Sequence, residues 1–216
     1  MNSLNRNLWK YLYKGNMMKK IALLLALAAL PSLANANVVV NGSFESDAQA
    51  NGSWGIYSNL TGWTGSAELR NNVVGTASEG VNFVELDTTA NSTIFQMINT
   101  TVGSEYTLNF DFSPRAGVAS NSNPIRAFWN NVLLTTVTGS GIGKSGNNWV
   151  TLEFSVFGTG NDKLTFSAAG ISDSLGGRLD NVSLISAVPE ADTSAMMLLG
   201  LGLMGFVASR RKNNQA

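Results

Sequence analysis

The sequence predicts an all-β protein, an antiparallel sandwich of two sheets, and three observations support that class. Short segments between residues 81 and 184 alternate apolar and polar side chains with period two, as antiparallel strands with one wet face do. Gly, Asn and Ser, the residues of turns, separate these segments. Between residues 37 and 188 the pattern requires no helix longer than a turn or two. Many short strands in about 150 residues favour two packed sheets.

The clearest strand pattern lies in the middle of the chain. Residues 106, 108, 110 and 112 are apolar and alternate with polar ones, and the segment 149–157 follows the same period. The predicted strands, in chain order, are 81–87, 93–98, 106–112, 149–157, 164–166 and 179–184.

The front of the chain is typical of a secretory signal. Lys19 and Lys20 precede residues 21–30, which contain no polar side chain. Ala34 and Ala36 then supply the small residues that a signal peptidase requires, so cleavage is expected after Ala36.

The resulting domain organisation has four parts. The first 16 residues do not resemble a signal n-region, which indicates a start of translation at Met17 or Met18. The predicted parts are a signal peptide at 1–36, a β-sandwich domain at 37–187, a sorting signal at 188–212 and a polar tail at 213–216.

The C-terminal segment has the layout of a targeting signal. Val188, Pro189 and Glu190 precede an uncharged run at 194–209, and a basic cluster then follows at Arg210, Arg211 and Lys212. As a helix, these 16 residues span about 24 Å, short of the bilayer core of about 30 Å. The basic cluster favours a cytoplasmic end. The run is therefore either a permanent transmembrane anchor or a temporary stop in the membrane.

This three-part order resembles the PEP-CTERM sorting signal of bacterial surface proteins. The resemblance implies recognition by an exosortase-type sorting enzyme, besides the signal peptidase that acts at the front. It also implies passage through the inner membrane to the cell surface or extracellular matrix. In that family proline usually follows the glutamate, whereas here the position is Ala191.

Composition excludes several kinds of chemistry. The net charge of zero hides an acidic domain, because residues 37–188 carry six Lys/Arg and twelve Asp/Glu. Such a domain offers no basic stripe for nucleic acid. The chain has no Cys and no His, which excludes disulfides, Ser-His-Asp catalysis and ordinary zinc sites. Oxygen ligands remain, and they suit a hard cation.

A second resemblance covers nearly all of the domain. Its motifs begin with 41–45, which reads Asn-Gly-Ser-Phe-Glu, and continue at 62–63, 80–87, 103–110 and 179–184. Their order resembles the choice-of-anchor domains of bacterial surface proteins and the galactose-binding-like carbohydrate-binding modules. The resemblance implies a jelly-roll sandwich whose first and last strands lie close together.

The same resemblance implies a structural calcium site. In the carbohydrate-binding relatives, an acid after the first strand and an Asp on the last strand help bind the ion, and here these positions are Glu45 and Asp180. Calcium takes six to eight oxygens, so carboxylates at these positions suit it. The alternative is that both carboxylates cap turns or bond backbone amides.

Sugar binding by such sandwiches uses exposed aromatic rings beside polar groups. Trp54 and Tyr57 lie in the Gly/Ser/Asn-rich stretch 51–62, a predicted loop, and are the first candidates. Trp129 and Arg126 are the next pair, whereas Trp63 and Trp149 match core positions of the family. The alternative for Trp54 and Tyr57 is that the loop folds back and buries them.

Catalysis has one candidate pair. Glu85 and Asp87 are two apart on a predicted strand and share one face, as a glycosidase pair would. The simpler interpretation is that they form the wet face of the strand, and no catalytic residue is predicted.

Together these observations predict an exported, non-catalytic β-sandwich at the cell surface or in the exopolysaccharide matrix of a biofilm, with polysaccharide as a candidate partner. One alternative is a carbohydrate-active enzyme or its accessory module. The other is a purely structural surface protein without a ligand. A concave cleft with aromatic and carboxylate side chains would favour binding over the structural role.

Overall fold

The described part of this computed structural model is residues 36–187, and it consists of antiparallel strands, turns and loops. No helix occurs within that range, so the predicted all-β class is confirmed. The predicted signal peptide and sorting tail fall on residues 1–35 and 188–216, outside the described residues. The strands of the described part are β1 (Ser53–Leu60), β2 (Trp63–Asn71), β3 (Asn82–Glu85), β4 (Thr93–Asn99), β5 (Glu105–Ser113), β6 (Ile125–Trp129), β7 (Val132–Val137), β8 (Val150–Phe157), β9 (Asn161–Ala168) and β10 (Arg178–Ser186).

Two arrays of hydrogen-bonded strands form the sandwich. The front sheet has the order β1-β2-β3-β10-β5-β8, and the back sheet has the order β7-β6-β9-β4. A single backbone pair, Thr64 of β2 opposite Phe95 of β4, joins the two sheets into one continuous order. All strand pairings in the described range are antiparallel, as the period-two pattern predicts.

An aromatic cluster fills the core between the sheets. Phe44, Trp63, Phe110 and Phe166 are fully buried. The ring centroids of Phe110 and Phe166 are 4.9 Å apart, and those of Trp63 and Phe166 are 6.1 Å apart. Burying one such side chain stabilises the fold by about 1.5–3 kcal/mol. Trp63 is therefore a core residue as predicted, whereas Trp149 is only partly buried and packs edge-on against Phe83.

The first segment of the domain runs beside the last strand. Val38 N–H donates to the carbonyl of Leu184 (3.0 Å), and Val182 N–H donates to the carbonyl of Gly42 (2.9 Å). A Cβ at Gly42 would lie 1.9 Å from the Val182 carbonyl oxygen, so only glycine permits this approach. The first segment of the domain and its last strand therefore lie close together, as the resemblance implied.

The outer face of the front sheet is buried at Glu85 and Asp87, contrary to the sequence prediction. Glu85 and Asp87, predicted on a wet face, are both 0% exposed. Loops cover them: Arg115 contacts the Glu85 carboxylate, and Asp173 N–H donates to Asp87 Oδ2 (2.9 Å). Period two shows which side chains share a face but not whether loops fold over that face, and this is why the prediction was wrong.

The stretch 51–62 was predicted as a loop, but residues 53–60 form β1, an edge strand of the front sheet. Burial alternates from residue 53 to residue 58, so one face of β1 is partly covered and the other faces solvent. The small and polar residues Gly55, Ser58 and Asn59 occupy strand positions and conceal the apolar alternation. Gly62, with φ of +80°, closes the hairpin to β2.

Candidate functional site

A cleft of about 370 Å³, here called the Trp54 cleft, opens on the outer face of the front sheet. Alternation along β1 and its register with β2 place Trp54 opposite Arg70 and Ile56 opposite Glu68. These four side chains line the cleft, together with loop residues of its rim. Its volume falls within the range of about 300–1,000 Å³ that small-ligand sites occupy. The rim residues are Val73, Val74, Thr88, Thr89, Arg115 and Ser174.

Trp54 supplies the flat apolar surface of the cleft. Its side chain is 52% exposed, although it is one of the largest apolar groups of the domain. The Arg70 guanidinium lies 6.0 Å from the centre of the indole ring, at the outer limit of a cation–π contact. The ring is thus oriented by a buried neighbour and still offers about half of its surface to a ligand.

Glu68 and Arg70 bring charge into the cleft. Both are almost fully buried, and a carboxylate oxygen of Glu68 contacts Arg70 Nη2. Burial raises the pKa of Glu68, and the neighbouring charge of Arg70 opposes that rise. Within the described residues, Arg70 Nη1 has no hydrogen-bond partner.

Three arginines surround the Glu85 carboxylate beneath the cleft. Arg70 Nε lies 3.3 Å and Arg178 Nε 3.4 Å from Glu85 Oε2, while Arg115 Nη1 contacts Oε1. The amide of Gly176 also donates to Oε1 (3.1 Å). Burial lowers the pKa of Arg178 to about 10, and Glu85 opposes that fall. Charge attraction to Glu85 therefore holds the Arg70 guanidinium close to the carboxylate.

The four predicted sugar-binding residues do not converge. Trp54 lies in the cleft, but Tyr57 lies three positions further along β1, packs against the core and donates its hydroxyl proton to Gln49 Oε1 (2.9 Å). Trp129 is only 6% exposed, and its indole N–H donates to the Phe157 carbonyl (3.0 Å). Arg126 is exposed on β6, in the back sheet. Trp54 is therefore the one member of the set that lines the cleft.

The two predicted calcium ligands are held by backbone amides. Glu45 Oε1 accepts from the amides of Val81 (2.7 Å) and Asn82 (2.6 Å). Asp180 Oδ2 accepts from the amides of Ser78 (2.7 Å) and Glu79 (3.0 Å), and burial raises the Asp180 pKa to about 7.

These contacts do not fit a calcium ion, because N–H donors point at the carboxylates where further oxygens should converge. Within residues 36–187 no group of three acidic side chains is placed to hold a metal. The arrangement matches the alternative given above, and calcium binding stays a prediction without a fitted site.

Sequence inspection missed most of the cleft. Arg70 and Arg115 carry no local motif, and they meet only because the loop after β5 folds over β2 and β3. No sequence motif marks Glu68 as a buried group. The available signal was the pair Glu68 and Arg70, two apart and therefore on one face.

Comparison with solved structures gives likeness of fold. A Stig cyclase from Fischerella superposes over 73% of this chain and 100% of its own, with 14% identity and a TM-score of 0.53. A family 35 carbohydrate-binding module from Clostridium thermocellum covers 62% of this chain and 99% of its own, with 19% identity and a TM-score of 0.42. At 14% identity the likeness to the Stig cyclase concerns the fold alone.

Comparison with curated proteins finds large toxins. A multifunctional-autoprocessing repeats-in-toxin protein of Vibrio vulnificus is 32% identical over 149 residues, and its counterpart in Vibrio cholerae is 29% identical over 153. Each match covers 68% of this chain but only 3% of the toxin. The chain therefore spans a very small part of these relatives.

The predicted sorting residues Val188, Pro189, Glu190, Arg210 and Arg211 lie outside the described residues. Within the described range, the structure has no helix with the length and apolar character of a membrane span. The comparison with protein families nevertheless covers the tail, matching residues 187–212 to the PEP-CTERM protein-sorting motif. The chain thus carries a PEP-CTERM sorting motif, as its order of proline–glutamate, apolar run and basic cluster predicted.

Proposed function

We propose that this protein is exported to the cell surface or extracellular matrix and binds carbohydrate, without catalysis, in the Trp54 cleft. The observation that carries the proposal is the half-exposed indole of Trp54 in a cleft that the buried Glu68–Arg70 pair also lines. A sugar ring has an apolar face that suits the indole and hydroxyls that suit charged side chains. The PEP-CTERM motif supports the surface destination.

The cleft also favours binding over a purely structural role. A structural surface protein needs no half-exposed tryptophan above a buried Glu–Arg pair. Maintaining that pair costs desolvation, which well-packed apolar residues would avoid. The distinguishing feature set out from the sequence, a concave site with aromatic and carboxylate side chains, is present in Trp54 and Glu68.

The pair considered for catalysis from the sequence, Glu85 and Asp87, is fully buried. At the cleft, the enzymatic alternative would instead need Glu68 and Glu85, which lie directly opposite each other on β2 and β3. A retaining glycosidase needs two carboxyl groups that both reach the substrate, about 5–5.5 Å apart. Only Glu68 lines the cleft, whereas Glu85 is fully buried among Arg70, Arg115 and Arg178. A carboxylate held by three arginines has no free oxygen for a nucleophilic step, so binding is the better proposal.

The test is affinity electrophoresis and calorimetry against a panel of bacterial and plant polysaccharides. A Trp side chain has about 150–250 Å² of surface, and with 52% exposed about 100 Å² remains for a ligand. If a sugar covers half of it, at about 25 cal/mol per Å² the contact contributes about 1.3 kcal/mol. Trp54→Ala should therefore weaken binding about tenfold.

Phe157→Ala is the matched control, because Phe157 is also an aromatic residue more than half exposed and lies away from the cleft. It should leave affinity unchanged. Equal affinity of the Trp54→Ala variant and the unchanged protein for every ligand found would remove this cleft as the site. Release of reducing sugar during incubation would instead favour the enzymatic alternative.

A further inference from the structure

Three turns meet at one end of the sandwich. They are residues 100–104 between β4 and β5, 130–131 between β6 and β7, and 158–160 between β8 and β9. Gly103 N–H donates to the Gly158 carbonyl (2.9 Å), and Asn130 N–H donates to the Lys163 carbonyl (2.9 Å). The Asp162 carboxylate accepts hydrogen bonds from Thr100, Asn130 and Thr159, one from each turn, so the three turns are joined to one another.

Exposed apolar side chains mark this surface. Val102, Val132 and Phe157, here called the apolar tip, are 74%, 65% and 60% exposed. The charged residues of its turns and adjoining strand ends are Glu105, Asp162 and Lys163, and the Asp162 side chain is buried. Of these three residues only Glu105 is exposed and Lys163 is partly buried, whereas the domain as a whole carries a net charge of −6. Val132 pairs with Trp129, whose indole N–H donates to the Phe157 carbonyl, so the exposed groups lie together rather than singly. Exposed apolar groups that adjoin one another indicate a surface that another phase or molecule covers.

The sorting tail leaves the domain at this same end. Ala187 N–H donates to the carbonyl of Glu105 (2.9 Å), and Glu105 lies opposite Phe157 on the neighbouring strand. Strands in a sheet are about 4.8 Å apart, so the tail departs about 10 Å from Phe157. Six residues, 188–193, then separate Ala187 from the apolar run that begins at Ser194. Fully extended, they reach about 20 Å at most.

We propose that the apolar tip rests on the lipid bilayer while the sorting tail is inserted in it. We assign lipid as the phase that covers the tip, because the six residues 188–193 keep the membrane-inserted run within about 20 Å of Ala187. Transfer of Val and Phe side chains from water to the boundary between headgroups and acyl chains is favourable. A surface that is already tethered to the membrane loses little further entropy on contact. The inference goes beyond carbohydrate binding and does not depend on it.

The test uses the full chain in phosphatidylcholine vesicles, isolated by flotation. The sequence contains no cysteine, so one introduced cysteine gives a unique site for a spin label. Val132→Cys reports the tip. Ile142→Cys is the matched control, because Ile142 is also 65% exposed and apolar but lies on the loop that contacts residues 115–118 at the other end of β5. Accessibility to oxygen and to a water-soluble nickel complex measures the depth of each label.

The label at Val132→Cys should favour oxygen over nickel, whereas the label at Ile142→Cys should behave as in water. Adding Val102→Ser and Phe157→Ser to the Val132→Cys chain should abolish the difference, because these exposed changes remove the apolar contact without touching the core. Equal aqueous accessibility at both labels would overturn the proposal. A lipid signal that survives the two serine changes would overturn it too, since mere nearness to the bilayer would then explain the signal. Failure of the chain to float with the vesicles would do the same.

Discussion

The charge network under the Trp54 cleft makes a quantitative prediction about Glu85. Glu85→Gln keeps the size of the side chain but leaves Arg70, Arg115 and Arg178 around a neutral amide whose own N–H groups face their guanidinium groups. Removing one partner from a buried ion pair costs about 3–5 kcal/mol, because the remaining charge stays buried and uncompensated. That is a large part of the roughly 5–15 kcal/mol by which a domain is stable.

The assay is thermal unfolding of the full chain in detergent, followed by circular dichroism. For a domain of this size, 1 kcal/mol corresponds to about 2–4 °C in Tm, so Glu85→Gln should lower the Tm by roughly 6–20 °C. Glu153→Gln is the matched control, because Glu153 is exposed on β8 and should shift the Tm by about 1–2 °C at most. If both variants melt together, Glu85 does not hold the cleft, and the account of how Arg70 is fixed is wrong.

Three further predictions concern other parts of the chain. Burial would raise the pKa of Asp162, but hydrogen bonds from Thr100, Thr159 and Asn130 outweigh it and lower the pKa to about 2. The ionised carboxylate therefore stabilises the fold above its ordinary pKa of 3.8, and this stability is lost as the pH falls toward 2. Asp162→Asn should lower the Tm at pH 7 but hardly at pH 2. Equal losses of Tm at both pH values would contradict this. Because backbone amides bond Oε1 of Glu45 and Oδ2 of Asp180, a chelator should leave the calorimetric Tm unchanged, and a drop in Tm would support the calcium prediction instead. Finally, Ala191→Pro completes the usual sorting signature and should raise the processed fraction seen by gel mobility in an exosortase-containing host, whereas Asn213→Pro should not; no gain would show that position 191 is not limiting.

The fold was predictable where the physics is local. Period two in segments such as 106–112 reports which side chains share a face, and the corresponding strand, β5, was found within one residue at each end. β1 was not predicted, because an edge strand pairs on one side only and tolerates Gly55 and Asn59, which interrupt the apolar alternation.

The candidate site was predictable only in part, for a physical reason. Trp54 is a large aromatic residue among small polar ones, so the local sequence alone identifies it as a candidate for ligand binding. Arg115 reaches Glu85 from 30 positions away, across a loop whose course depends on the packed sandwich. No local pattern encodes such a contact, and therefore the charge of the cleft could not be anticipated.

The cleft and the apolar tip lie at opposite ends of the front sheet, and this has a consequence for how the protein works at a membrane. β5 runs from Glu105, beside the tip, to Ser113, just before the rim residue Arg115. Its nine residues span about 30 Å at about 3.4 Å each. β10 runs the other way, from the buried Arg178 beneath the cleft to the exit of the tail after Ser186. Strand register places Trp54 and Arg70 level with Asp111 of β5, six residues from Glu105. With the tip on lipid and the strands upright, Trp54 therefore stands about 20 Å above the bilayer, beyond the headgroup layer. A polysaccharide would reach Trp54 from solution without displacing lipid, so binding and membrane contact do not compete for one surface. Cleavage of the tail would free the tip and leave the cleft unchanged.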